Sequence, residues 1–313
     1  MEVPLDPHAL IQSMRISFFG SMSNVGVHPG GEQNPCPEGG KAFLRIDTAE
    51  PLLDQMVADG VIAKWQLFDG TGDAAVQCDL LETAINMGAD LVVLLPTEAE
   101  ACAPIITRCN EVGIPTVVVN ATTTNIDEAT AYVGSDDYSA GEMMGKWVEQ
   151  CVPEGGKWCM VTGLTGNSAA TGRADGAKNI LCNNDKFELM DVQDGQWDPS
   201  KGVQFAEDWL QLYGDDLVAI ICGDDDTSAA IQVAANAAGH KDLVCVGVNG
   251  GATACALIAA GEMQGTVYQN GVAQMTKAME IVRQIAAGED YPAGMNWVDF
   301  EYITPENVAE FVG

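Results

Sequence analysis

Residues 157–181 read KWCMVTGLTGNSAATGRADGAKNIL. The apolar run from Trp158 to Thr162 predicts a buried strand, Gly163 to Gly166 a tight loop, and the residues after it a helix capped by Asn167 or Ser168. The small residues of that helix predict a close approach to the sheet. A loop between a strand's carboxyl end and a helix N-terminus presents free backbone N–H groups, and open α/β sheets put their ligands there. Taken alone, the stretch is one βα turn among many. What gives it weight is that other strands of this chain end the same way.

Outward from that stretch the alternation hardly pauses. Towards the N-terminus, strands are predicted at 15–20, 63–68, 89–95, 114–119 and 132–134, with helices over 43–59, 74–87, 98–112 and 138–151. Towards the C-terminus, strands are predicted at 188–192, 217–222, 243–248 and 265–268, with helices from Pro199 to Leu212, to Ala238, to Ala260 and over 272–287. One more short strand is predicted near Val298–Tyr302, and residues 24–40, rich in Gly and Pro, read as loop. Unbroken apolar strands separated by helices predict parallel sheets covered on both faces. The fold class is therefore α/β: two doubly wound parallel-sheet lobes facing a shared cleft, with the break near residues 135–157.

Composition excludes several functions. The 313 residues carry 14 Lys plus Arg against 45 Asp plus Glu, a net charge of −31. Such a surface repels nucleic-acid phosphates and anionic membrane, so neither is expected as a partner. No apolar run is long enough to cross a bilayer, and residues 1–14 hold no signal-peptide core. The expectation is a chain that is either cytosolic or separated from its targeting segment. The ten cysteines show no C-x-x-C and no zinc spacing, so buried free thiols are expected, with Cys36 in its Pro/Gly-rich loop the exception. No metal and no cofactor are expected. Enzyme signatures are lacking too. The loop GLTGNSAATG has no GxGxxG order, there is no G-x-S-x-G elbow, and the histidines at 8, 28 and 240 are scattered. The run Asp224–Asp226 suits a helix N-terminus better than a metal, since consecutive carboxylates point in different directions.

Six segments, ADLVVLLPTEAEA (89–101), VGSDDYSAGEMMG (133–145), GLTGNSAATGRADGAKN (163–179), GDDDTSAAI (223–231), VGVNGGATA (246–254) and GEMQGTVYQNGVAQMTKAMEIV (261–282), carry a resemblance that spans roughly 15 to 303. In this order they resemble the type I periplasmic binding proteins, in the sugar-binding branch typified by ribose- and glucose/galactose-binding proteins. The resemblance implies two lobes joined by a three-strand hinge, 13–134 with 271–296 and 135–270 with 297–313. It also implies that Asn120, Thr171, Asp224, Asn249 and Gln269 hydrogen-bond a solute and that Trp197 stacks on it, although Trp197 also fits a core aromatic and Asp224 a helix cap. The family's usual Asp at the positions of Asn120 and Asn249, and its Arg at that of Thr171, are absent, while Asp224 replaces a usual Asn. Arg173 matches a family position that is mostly structural. The family's first-strand aromatic pair is missing, and a long insertion from Asn24 to Phe43 stands there instead. Asn24 and Phe43 join the candidate ligand residues, and Arg45, His28 and Lys41 are further groups that could reach the cleft.

The resemblance implies a monomeric solute-binding component of an ABC-type importer, without catalysis, that closes by hinge motion over a small polar solute and is recognised by a membrane permease. A monosaccharide or related polyol is the expected solute; a nucleoside or amino sugar, or an enzyme acting on such a solute, is the alternative. The implied location is periplasmic, or extracellular on a lipid anchor, with the targeting segment lying outside this chain. A transcriptional regulator of the lac-repressor type shares the fold but needs an N-terminal helix-turn-helix, for which the fourteen residues before the first strand leave no room.

Overall fold

The computed structural model describes residues 14–20 and 46–312. Two compact units divide them: one runs to Ser135 and takes in Gly271–Val298, and the other holds Asp136–Asn270 and continues from Asp299. The chain therefore passes between the units three times.

The first unit is built on β1 (Arg15–Gly20), β2 (Lys64–Asp69), β3 (Leu91–Leu94), β4 (Thr116–Val119), β5 (Ala131–Gly134) and β12 (Gly294–Trp297). They form one parallel sheet in the order β12-β5-β4-β3-β1-β2. Its strands β3, β4 and β5 are buried at every residue, as helices on both faces require. Those helices are α1 (Ile46–Ala58), α2 (Ala74–Asn86), α3 (Ala103–Val112) and α9 (Gly271–Ala287). Phe68, Leu81, Val92, Leu94, Ile105, Ile106 and Val118 belong to one core cluster.

Helix α3 begins at Ala103 rather than near 98, as the sequence suggested. Pro104 explains the difference. A proline is accommodated in a helix's first turn, where its missing N–H has no partner to lose, and breaks a helix interior. The residues before Cys102 accordingly form turns, closed by Cys102 N donating to the Glu98 carbonyl at 3.2 Å.

The second unit continues through α4 (Asp137–Cys151), β6 (Gly156–Thr162), α5 (Ser168–Leu181), β7 (Phe187–Asp194) and α6 (Pro199–Tyr213). After these come β8 (Leu217–Cys222), α7 (Asp225–Ala238), β9 (Val244–Val246), β10 (Val248–Asn249), α8 (Ala252–Ala259) and β11 (Thr266–Tyr268). Strands β7-β6-β8-β9 make a parallel sheet, and β10-β11-β13 a small mixed one, where β13 is Glu301–Ile303. Along β6 the side chains alternate. Trp158 and Met160 join the core with Met144 and Ala177 of α4 and α5, while Cys159 and Val161 join Trp209 and Ile231 of α6 and α7. Both faces of β6 are thus dry, which is why it reads as a continuous apolar run.

The tail departs from expectation. In place of one strand near 298–302, β12 pairs parallel with β5 in the first unit and β13 pairs antiparallel with β11 in the second. The small residues of α5 also serve another neighbour than the sheet. A Cβ on Gly141 of α4 would lie 2.2 Å from the Arg173 carbonyl oxygen, and one on Gly176 2.0 Å from that of Tyr138. The stripe lets α4 and α5 touch backbone to backbone.

Nine described cysteines are free thiols. Burial pushes Cys159 up to about 12 and raises Cys222 well above its ordinary value, so these thiols stay protonated and pack as small hydrophobes. Cys36 lies outside the described residues. Among those described, no helix is long and apolar enough to cross a membrane.

Candidate functional site

In the second unit the carboxyl ends of the strands converge on one group of side chains. The loop after β6 is fixed by Asn167, whose carboxamide oxygen accepts from Ala169 N at 3.0 Å and Ala170 N at 3.2 Å, capping α5. The loop after β7 is tied to it. Asp194 accepts from Thr165 Oγ1 at 2.6 Å and from Gln196 N at 2.9 Å, and Gly195 N donates to the Thr162 carbonyl at 3.0 Å. Gln196 and Trp197 then both take left-handed backbone, φ 55 and 59, which turns the Trp197 indole back against the β6 and β8 ends. A Cβ on Gly163 would lie 2.1 Å from the indole Cη2, and one on Gly223 3.0 Å from Cζ3. Only glycine at 163 lets the ring lie where it does.

Bonded to the Gly223 carbonyl is Arg173 on α5, 3% exposed. Its Nε donates to Asp137 Oδ1 at 2.8 Å, Nη1 to the Gly223 carbonyl at 2.7 Å and Nη2 to Gln269 Oε1 at 3.1 Å. Burial pushes the Asp137 carboxyl up and the guanidinium pulls against it. A guanidinium only donates, so the atom Gln269 turns towards it must be oxygen. The amide nitrogen of Gln269 then points away, and it is buried with no partner in the folded chain. Gln269 follows β11 directly and is 1% exposed.

Asp224, which follows Gly223, caps α7. Its Oδ1 accepts from Thr227 N at 2.9 Å and its Oδ2 from Thr227 Oγ1 at 3.1 Å. Burial raises its pKa, the bonds from Thr227 pull against that, and Arg173 contributes least of all. Asp225 turns the other way. Its Oδ2 accepts from Gly250 N at 2.7 Å and Gly251 N at 2.8 Å, and its Oδ1 accepts from Thr266 Oγ1. It thereby braces the loop after β10, where Asn249 sits at φ 137 with its side-chain oxygen buried and unpartnered. The Asn249 carbonyl accepts from Gln269 N at 3.4 Å, so the two residues end neighbouring strands.

Trp197, Asp224, Asn249 and Gln269 are thus assembled in one unit. Thr171 belongs to the same unit but is exposed, its hydroxyl donating to the Asn167 carbonyl at 3.2 Å within its own helix turn. Asn120 belongs to the first unit, after β4, with φ 68. Its backbone oxygen accepts from the Tyr132 hydroxyl at 2.5 Å, and its Nδ2 donates to Gln274 Oε1 at 3.3 Å. Gln274 Nε2 donates to Ser135 Oγ at 2.7 Å, and Ser135 Oγ donates to the Val298 carbonyl at 2.5 Å. Asn24 and Phe43, with His28, Lys41 and Arg45, lie outside the described residues.

Two contributors were not legible as such in sequence. Arg173 matches a structural family position, and it is also the residue that aims Gln269. Its spacing on α5 from Ala169 and Ala177 put a charge on the apolar face, a signal that it needed buried partners. Asp225 was read as helix-dipole decoration. Its partners stand 25, 26 and 41 residues away, so no local signal marked it. Among the described residues no cluster of His, Cys, Asp and Glu could hold a metal ion.

A family model described as periplasmic binding protein domain matches residues 47–290. A putative rhizopine-binding protein of Rhizobium meliloti is 27% identical over 255 residues, 79% of this chain and 82% of its own length. A xylitol-binding protein of Mycolicibacterium smegmatis is 23% identical over 236 residues, 75% of this chain and 67% of its own. Among solved structures, an ABC transporter solute binding protein from Bacillus halodurans with bound myo-inositol matches with a TM-score of 0.82 at 22% identity, covering 96% of this chain and 98% of that one.

Proposed function

We propose, since this chain belongs to the type I periplasmic binding protein family, that it is the solute-binding component of an ABC-type importer and takes a polyhydroxylated solute, a monosaccharide or related polyol. The observation that carries this reading is the pair of buried, unpartnered amide atoms at adjacent strand ends, the donor Gln269 Nε2 and the acceptor Asn249 Oδ1. Leaving such an atom unpaired costs about 1–3 kcal/mol, and a hydroxyl, which both donates and accepts, answers either one. Trp197, against Gly163 and Gly223 at strand ends of the same unit, supplies an apolar ring for the C–H side of such a solute. Relatives whose names or bound molecules are rhizopine, xylitol and myo-inositol support the same class.

Binding proceeds without chemical change, because no nucleophile–base pair stands in the group. Membership of the periplasmic binding protein family supports a permease partner in the membrane and a location outside the cytoplasm.

A thermal-shift screen across sugars, polyols, nucleosides and sugar acids tests the reading, with calorimetry on the best binder. Polyhydroxylated solutes should stabilise the protein and return unaltered on chromatography, while sugar acids should not bind. Trp197→Ala should weaken binding by about 1–3 kcal/mol. Stabilisation by sugar acids alone, or affinity unchanged in a folded Trp197→Ala variant, would refute it.

A further inference from the structure

Asp224 stands out from the group that surrounds it. Its neighbours facing the same strand ends are neutral: Trp197, Asn249 and Gln269. The residue is 8% exposed, and both hydrogen bonds its carboxylate accepts come from one residue, Thr227. A carboxylate has about four lone-pair positions, so the side of the carboxylate away from Thr227 still has acceptor capacity.

Arg173 is the cation that acts on Asp224 among the described residues, and it acts least of the groups that shift it. Three of its five N–H donors go to Asp137, the Gly223 carbonyl and Gln269, and the carboxylate it pairs with is that of Asp137. The other charged groups near Asp224 are acids. Asp226 opposes its ionisation, and Asp225 is spent on Gly250, Gly251 and Thr266. The α7 N-terminus offsets part of the charge, as a helix N-terminus does for any capping carboxylate. That is small against the cost of taking an unpaired carboxylate out of water. Gln269 supplies an independent sign that a ligand belongs here, since its buried Nε2 has no partner and its oxygen is locked to Arg173.

We propose that the carboxylate of Asp224 ion-pairs the ammonium of an amino-substituted polyol, and that it sets the specificity of the site for an amine over the corresponding alcohol. This rests on the reading of the chain as a polyol binder and names the substituent that such a solute carries. The Trp197 ring lies against Gly223, the residue before Asp224 in the chain, and an aromatic ring is compatible with a cationic solute as well as a neutral one. Asn249 Oδ1 and Gln269 Nε2 are left for hydroxyls on the same molecule. Because burial already pushes the Asp224 carboxyl up, a bound ammonium pulls it back down, and binding releases a proton wherever the free carboxyl is partly protonated.

The test is calorimetric titration of the full chain with matched pairs: D-glucose and D-glucosamine, D-glucitol and 1-amino-1-deoxy-D-glucitol, myo-inositol and a monoamino-monodeoxy inositol. The N-acetyl form of each amine serves as the uncharged control. The expected result is that in at least one pair the amine binds about tenfold or more tightly than the alcohol, an ordinary yield for one desolvated ion pair. N-acetylation should remove the preference. Asp224→Asn, which keeps a good helix cap, should cost the amine tenfold or more and the alcohol much less. Alcohols that bind as tightly as their amines, or an amine preference that survives in a folded Asp224→Asn variant, would overturn the inference while leaving the polyol reading intact. If no member of any pair binds, the polyol reading falls and this inference falls with it.

Discussion

Asn249 has φ 137 and Trp197 φ 59, and with Asn120 at 68 they make three of the five described non-glycine residues with positive φ. Side chains larger than hydrogen are strained there by about 1–3 kcal/mol, and such strain persists where the surroundings fix it and a site uses it. Asn249 tests this at the scale of one residue, because its side-chain oxygen forms no bond in the folded chain. Asn249→Gly should relieve both the strain and the buried unpaired oxygen, offset in part by a more flexible unfolded chain. The expected outcome is stability unchanged or raised by up to about 1 kcal/mol, measured by urea denaturation, together with weaker solute binding. Loss of more than that, or undiminished affinity, would show that the backbone shape is not held for the sake of the side chain.

At the scale of elements, one carboxylate joins the start of α7 to the loop after β10. Burial raises Asp225 from its ordinary 3.8 to about 6, with the Thr266 hydroxyl and the Gly251 and Gly250 N–H groups pulling against it. The folded state therefore holds this proton at pH values where the unfolded chain has released it. This contribution to stability falls as pH rises from about 4 to about 6 and is level beyond, amounting to no more than about 3 kcal/mol. Asp225→Asn keeps an acceptor for the two N–H groups and has nothing to ionise. The stability of the wild type relative to this variant should therefore be lower at pH 7.5 than at pH 4.5. A difference that does not move with pH would refute the assignment.

The same scale shows what was legible beforehand. The central parallel strands β3, β4, β5 and β8 could be read because both faces of each are buried almost throughout, and the strand ends at Asn120, Asp224, Asn249 and Gln269 because a polar residue stops each apolar run. The tail could not be read, since β12 and β13 are short and each exists only by pairing with a distant strand. The glycines of α4 and α5 were visible, but nothing local said that their neighbour was another helix rather than a sheet. Trp197 could be placed after a strand end. That its ring lies against Gly163 depends on a loop whose bonds run between residues far apart in sequence.

Across the whole molecule, a net charge of −31 on 313 residues works against compaction. Self-repulsion of this kind is long-ranged and yields to salt. Going from about 10 mM to about 150 mM sodium chloride shortens the screening length from about 30 Å to about 8 Å, and further salt changes it much less. The melting temperature should rise over that interval and then flatten, read by differential scanning fluorimetry with and without solute. A melting temperature that falls on adding the first 150 mM would mean that attractive ion pairs, such as Arg283 with Glu280 and Glu289, outweigh the net repulsion.

The string of bonds from Asn120 through Gln274 and Ser135 to the Val298 carbonyl has a meaning in time as well as in space. Ser135 and Val298 are the last residues of the first unit before two of the three passages, and Gln274 follows just after the remaining one. Asn120 is thus the far end of a string that touches the chain close to each of its three exits from the unit. Removing its amide leaves Gln274 Oε1 without that donor, so a change at one side chain after β4 should be felt as faster amide exchange at all three exits together.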